Sequence, residues 1–347
     1  MAANTYGASD SLPAYLNLAG EVPMGEQPPT NLSEGSAMLI HTGGMLPASA
    51  DAVVMLENTQ ETAGMIEIFR PVAVGENVIQ AGEDVQAGEV VIPAGRRLRP
   101  QEIGGLAAIG ITQVQVSARP RVGVLSSGDE IVQPEVEPQA GQVRDANTYS
   151  LSALICKAGG EPVRYGIFPD EFQPMVAAAE QALRECDLVV FTAGSSASAR
   201  DLTARVINQL GKPGVLVHGV GVRPGKPTIL AICQGKAVIG LPGNPVSALV
   251  IARIFLRPVI ERLLGLPANQ PQPGISARLT VNLPSQAGRE DWVPVRLING
   301  PQGLEAEPIF SKSNLIFSLV RADGLVRVPP DATGLATNDL VWVVPFD

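Results

Sequence analysis

Two short loops carry the residue types most able to hold an anion. They are Arg223-Pro224-Gly225-Lys226-Pro227 and, after the apolar run 228–239, Gly240-Leu241-Pro242-Gly243-Asn244-Pro245-Val246-Ser247-Ala248. Glycine lets backbone approach a ligand closely, proline stiffens the turn, and Arg223 and Lys226 supply positive charge. The second loop feeds a long apolar helical pattern over 244–264, so backbone N–H groups at its start can converge on an oxyanion. Read singly, either loop is a stiff turn with solvated cations. In tandem, each after an apolar strand, they predict an oxyanion cradle.

Acidic and hydroxylic loops recur at equivalent points upstream. Ser126-Ser127-Gly128-Asp129-Glu130 follows Val122-Gly123-Val124-Leu125, Pro169-Asp170-Glu171 follows 163–168, and Thr192-Ala193-Gly194-Ser195-Ser196 follows Leu188-Val189-Val190-Phe191. Helical patterns over 147–157, 171–185 and 201–210 alternate with these strands, the spacing of a parallel sheet covered on both faces. In such sheets ligands bind outside the carboxyl ends of the strands. The loops should therefore bring Glu130, Asp170, Asp201, Arg223 and Lys226 to one rim. Carboxylates facing cations suit an anionic ligand held through Mg²⁺ and direct ion pairs. Asp170 and Asp201 also read as residues at helix starts, where capping is the competing role.

Composition restricts the alternatives. A chain of 347 residues, 45% apolar and 17% charged, is globular and too long for one core. Its formal net charge of −9 argues against a general nucleic-acid surface. Cys156, Cys186 and Cys233 are odd in number, far apart and without CxxC spacing, so they read as buried apolar residues in a reducing compartment. With His41 and His218 the only histidines, a zinc site lacks ligands, and any metal should be a hard ion on carboxylates. No apolar run approaches the ~18–20 residues of a membrane span, and no basic-then-apolar signal opens the chain. A cytoplasmic protein with no membrane contact follows as the expectation.

Other familiar sites fail on spacing. Gly225-Lys226 is followed by Pro227 rather than Ser or Thr, so no P-loop is present, and no GxGxxG turn follows a strand. Gly194-Ser195-Ser196-Ala197-Ser198 lacks the second glycine of a nucleophile elbow.

The chain reads as an α/β and β multidomain protein. Short patterns such as Tyr15-Leu16-Asn17-Leu18 and Ala52-Val53-Val54-Met55-Leu56 predict a β-rich domain over 1–78. A connector over 79–118 holds a strand and turn at 89–95 and a helix at 100–110. The α/β domain occupies 119–267. Beyond it helices end, and strands at 277–281, 292–297, 325–328 and 340–344 predict a barrel-like β domain over 268–347.

Taken together, Ile40-His41-Thr42-Gly43-Gly44 with Ala50-Asp51-Ala52-Val53-Val54, Ala81-Gly82-Glu83-Asp84, Ser127-Gly128-Asp129-Glu130, Pro224-Gly225-Lys226-Pro227 and 240–248 resemble the MoeA and gephyrin E-domain family of molybdopterin molybdenumtransferases. The likeness spans essentially the whole chain. It implies a central parallel-sheet molybdopterin-binding domain like those of MoaB and MogA, flanked by an N-terminal β-rich and a C-terminal barrel-like domain. It also implies Mg²⁺-dependent insertion of molybdate into adenylylated molybdopterin with release of AMP. The enzyme would be a homodimer whose active site combines elements of both subunits, downstream of a molybdopterin adenylyltransferase.

By the same resemblance Thr42, Asp84, Glu130, Asp170 and Asp201 are the catalytic candidates, Asp170 and Asp201 also holding Mg²⁺. Ser127, Gly128, Thr192, Gly194, Ser196, Arg223, Lys226, Pro242, Gly243, Asn244, Pro245 and Ser247 would contact substrate. Three departures stand out. The family's Asp-Gly-Tyr-Ala motif normally lies upstream of the first residue, Asn4-Thr5-Tyr6-Gly7 matching the segment after it, which predicts a weaker dimer and lower turnover. The glycine-rich loop keeps one glycine, Gly194, of three. Arg223 and Gly219 replace two expected lysines. A non-catalytic cofactor-storage paralogue and an adenylyltransferase are the competing readings.

Overall fold

In the computed structural model, which describes residues 1–192, 197–268, 273–301 and 303–346, the chain divides into two units, Met1–Pro93 and Ala94–Asp347.

The first unit is built on β1 (Ala14–Val22), β2 (Ser36–Ile40), β3 (Thr59–Thr62) and β4 (Met65–Ile68), in sheet order β2-β1-β4-β3. Ala63 and Gly64 both take positive φ (52° and 79°), the geometry of a tight hairpin between β3 and β4. The stretch 52–56, expected as a strand, forms none. Its Val53 N–H donates to the loop carbonyl of Glu76, and a 3-10 turn follows at Leu56–Asn58. The strand expected at 89–92 is likewise absent. Consecutive turns replace it, in which Glu83 and Glu89 carboxylates accept the N–H groups of Gln80 and Gln86.

The second unit opens with α1 (Pro100–Ala108). Pro100 occupies the first helical position, and Glu102 reaches back to the Arg99 N–H at 3.0 Å, closing the helix start. The Arg99 guanidinium is the main reason that the Glu102 carboxyl titrates near about 2.

Next come β5 (Arg121–Ser127), the short β6 (Ile131–Val132) and β7 (Val143–Arg144), α2 (Asn147–Ala158), β8 (Glu161–Phe168), α3 (Phe172–Glu185), β9 (Leu188–Thr192) and α4 (Ala197–Gln209). Gly159, at φ 97°, ends α2 in the left-handed conformation that glycine adopts freely. Then follow β10 (Pro213–His218), β11 (Val222–Arg223), β12 (Ile229–Cys233), β13 (Lys236–Leu241), α5 (Pro245–Ile251), a π-helical turn at Ala252–Leu256, and α6 (Arg257–Leu263). Pro258 lacks the N–H that would continue the regular ladder past that turn.

The sheet order is β10-β12-β13-β9-β5-β8. The strands β13, β9, β5 and β8 are parallel, as the expected architecture requires, and β12 and β10 extend one edge antiparallel. Alternate residues of β5 and β9 feed opposite faces: Leu125, Val189 and Phe191 pack with α3 and α4, while Val124, Leu188 and Val190 pack with α2, α5 and α6. Two readings are corrected here. The run 228–239 is a hairpin rather than one strand, because Gln234 and Gly235 turn it at φ 52° and 77°. Asp201 lies inside α4, exposed, rather than at its start.

The last segment contributes β14 (Ile275–Leu279), β15 (Leu283–Pro284), β16 (Glu290–Gly300), β17 (Gly303–Pro308), α7 (Phe317–Val320), β18 (Gly324–Val328), β19 (Gly334–Leu335) and β20 (Leu340–Pro345). The pairings run β16-β17-β14-β20-β18 and return to β16, closing a barrel around Ala277, Leu279, Val295, Ala306, Val326 and Val343. The helical turn α7 interrupts a region expected to be purely β. Among the described residues no helix is long and apolar enough to cross a membrane.

Candidate functional site

Because β5, β8, β9 and β13 are parallel, the loops after them share one edge of the sheet. Gly128 N–H bonds the Phe168 carbonyl at 3.2 Å, and Asp129 accepts the Asp170 N–H at 3.2 Å, so the first two loops are joined. Burial pushes the Asp170 carboxyl above its ordinary range. The nearby Ser127 hydroxyl opposes that rise, though its geometry falls short of a full hydrogen bond, and the negative charges of Asp129 and Glu130 add to it. Four buried side-chain oxygens at this edge, on Ser127, Asn147, Thr148 and Asp170, complete no hydrogen bond among the described residues. Buried polar atoms are usually paired, so this edge has spare bonding capacity. Asp170 starts no cap: Glu171 precedes α3, without a side-chain cap bond.

A second region lies where β11 pairs with β16, matching Arg223 to Asp291. This pairing carries the Arg223–Lys226 loop against the barrel. There Arg223, Lys226, Pro242, Gly243, Asn244 and Ser247 line a cleft of about 630 Å³, opposite Asp291, Trp292 and Lys312. Asp291 is 3% exposed and is held by Arg289 at 3.0 Å and Arg223 at 3.5 Å. Lys226 and Lys312 are exposed, and neither forms an ion pair among the described residues. The cleft thus has one neutralised acid and ammonium groups available to an anion. Gly225 sits at φ 130°, where an added Cβ would run into the Ile251 side chain.

The expected donors at the start of α5 need one correction. The Val246 N–H donates to the Ser313 carbonyl at 3.1 Å, and the Asn244 side-chain Nδ2 donates to the Ser313 hydroxyl at 2.9 Å. The barrel loop takes the Val246 N–H, which leaves the side-chain cations and the remaining backbone donors for any anion bound here.

The remaining candidates divide. Thr192 is buried, Ser127 and Gly128 sit in the acidic edge, and Pro245 begins α5. Gly194 and Ser196 lie outside the described residues. Thr42 and Asp84 occupy exposed turns of the first unit. Among the described residues no three Asp, Glu, His or Cys side chains cluster at metal-binding distance. Sequence reasoning missed Asp291, Trp292, Lys312 and Ser313 in the cleft wall and Arg289 paired to Asp291; the β11–β16 pairing and the Ser313 bonds to Asn244 and Val246 bring that wall to the loops. It also missed Asn147, whose one signal was its place at the start of a helical pattern.

Comparison with known proteins gives three family models in register. The MoeA N-terminal region (domains I and II) matches 1–110, a probable molybdopterin binding domain matches 123–262, and the MoeA C-terminal region (domain IV) matches 276–346. A molybdopterin molybdenumtransferase of Nostoc sp. is 32% identical, covering 98% of this chain and 79% of its own length. One from Haemophilus influenzae is 32% identical over 96% of this chain and 82% of its own. The crystal structure of the molybdopterin biosynthesis MoeA protein of Pyrococcus horikoshii superposes with a TM-score of 0.84 at 30% identity, covering 99% of this chain and 84% of that one.

Proposed function

The chain belongs to the MoeA family of molybdopterin molybdenumtransferases, an enzyme family of molybdenum cofactor biosynthesis, and from that premise we propose that it inserts molybdate into adenylylated molybdopterin and releases AMP. The observation that carries the reading is the shared cleft. The Arg223–Lys226 and Pro242–Ser247 loops line one cavity with Lys312 and a single, neutralised carboxylate. A dianion such as molybdate suits that balance of charge.

The acidic edge suits the opposite partner. Asp170 keeps an unpartnered Oδ1 beside the charges of Asp129 and Glu130, a repulsion that a hard cation relieves. Mg²⁺ commonly takes one or two carboxylates and completes its shell from water and substrate phosphates. Bound there, Mg²⁺ would neutralise the pyrophosphate of the substrate. Asp170 is the proposed ligand, with Asp201 the second candidate and Glu130 beside it. Ser127, Gly128 and Thr192 would orient the pterin and its phosphate, and Arg223 and Lys226 would attract molybdate and stabilise charge on the departing AMP. We further propose a cytoplasmic homodimer in which Thr42 and Asp84 serve the site, supplied by a molybdopterin adenylyltransferase.

Purified protein given adenylylated molybdopterin, molybdate and Mg²⁺ should release AMP in a molybdate-dependent way and yield cofactor that activates an apo-molybdoenzyme. Tight pterin binding without AMP release would favour storage instead, the reading to which the single glycine of the 192–198 loop lends weight. Replacing molybdate by tungstate in the same assay measures the oxyanion preference, which the equal charge and similar shape of the two ions leave to experiment.

A further inference from the structure

Asn147 touches neither cationic loop in sequence, yet it joins two of the loops that build the site. Its Nδ2 donates to the Gly243 carbonyl at 2.7 Å and to the Thr192 hydroxyl at 3.3 Å. Both donors are spent, and the reversed amide would set Oδ1 against a carbonyl oxygen, so the orientation of the side chain is determined. Asn147 is 8% exposed and lies at the first position of α2. It therefore has a rigid base.

The bond to Gly243 has a consequence on the far side of the peptide. The Gly243–Asn244 bond is not among the cis peptides, and in a trans peptide the C=O and N–H point in opposite directions. A carbonyl pinned toward Asn147 turns the Asn244 N–H away from α2. That N–H makes no hydrogen bond among the described residues, and Gly243 and Asn244 both line the cationic cleft.

We propose that Asn147 is a positioning residue, which holds the Gly243–Asn244 peptide so that its N–H serves as a neutral donor to the oxyanion in the cleft. The inference rests on the anion-binding reading of that cleft, but not on turnover. It also assigns a reason for the buried polar residue between loops: a loop free to flip this peptide would present a carbonyl to the anion instead of an N–H.

Gly-Asn occurs once in the sequence, at 243–244. Protein labelled with carbonyl-¹³C glycine and ¹⁵N asparagine therefore gives a single carbonyl-to-amide correlation, from the Asn244 N–H. Titration with molybdate should move that signal saturably in the wild type. In Asn147→Leu, similar in size but without donors, molybdate should bind about tenfold more weakly, the loss expected for one charge-assisted hydrogen bond, and the signal should shift little at matched occupancy. Asn147→Gln, which keeps both donors, should recover part of the affinity and of the shift. A wild-type signal that ignores saturating molybdate overturns the proposal, as does an unchanged molybdate affinity in a folded Asn147→Leu. If Asn147→Leu does not fold, the wild-type titration and Asn147→Gln decide. A moving signal without AMP release would sink the transferase reading and leave this inference standing; AMP release with a static signal would do the reverse.

Discussion

The acidic edge and the cationic cleft stand on the same sheet, yet they are assembled differently. The edge is local: Ser127 ends β5, Asp129 and Asp170 sit in the loops directly after the paired strands β5 and β8, and no cationic side chain among the described residues pairs with Asp170. The cleft is a junction, half its wall coming from the barrel, and its one acid already has two arginine partners. An edge with uncompensated negative charge suits a cation, and a cleft with spare ammonium groups suits an anion. The pairing of β11 with β16 is what makes the second region possible.

The largest expected effect breaks the cleft. Gly225→Ala places a Cβ into Ile251 at a backbone angle that L residues rarely adopt, and should cost about 2–4 kcal/mol in urea unfolding together with molybdate binding. Gly221→Ala has ordinary contact distance and no unusual angle, so it should change stability by less than about 0.5 kcal/mol. Equal losses from the two would mean that the tight approach of the loop to Ile251 is not what holds the cleft.

A smaller effect sharpens the edge. Since the Asp170 carboxyl is held above its ordinary 3.8, the folded protein binds that proton more tightly than the unfolded chain. The stabilisation is full below 3.8 and is lost as pH rises through the folded value. Asp170→Asn should therefore raise the melting temperature of ligand-free protein at pH 7 by about 1–2 °C, while removing Mg²⁺-dependent AMP release. A lower melting temperature would show that the carboxylate is stabilised by its surroundings.

The smallest effect concerns a residue of α1 that belongs to neither region, and it has the opposite sign. Glu102, held near about 2 by Arg99, contributes stability above its usual 4.5 that fades as pH falls toward 2. Glu102→Gln should flatten the acid limb of a melting curve over that window and leave AMP release unchanged. An unaltered acid limb would place the acid sensitivity elsewhere.

The same contrast explains what could be read in advance. The parallel strands were legible because β5 and β9 are continuous apolar runs between polar loops, and the acidic edge followed from where those loops fall. The hairpin at β12 and β13 was not, since Gln234-Gly235 interrupts an apolar run too briefly to break its pattern. β17 was missed for another reason: Gly303-Leu304-Glu305-Ala306-Glu307-Pro308 offers only Leu304 and Ala306 as apolar positions between glutamates, and its hairpin with β16 and its pairing with β14 are what make it a strand. Asp201 was misplaced because α4 begins within a polar stretch that gives no periodic signal. The barrel wall of the cleft was illegible in principle, because Arg223 and Asp291 meet through a two-residue strand pairing that local pattern does not encode.

Molybdate binding by titration calorimetry, on Lys226→Ala and Asp170→Asn beside the wild type, tests the division of labour most directly. The account predicts that Lys226→Ala binds molybdate about tenfold to hundredfold more weakly with little change in melting temperature, and that Asp170→Asn stays within about twofold of the wild type. Wild-type affinity in Lys226→Ala, or an equal loss in Asp170→Asn, would contradict it.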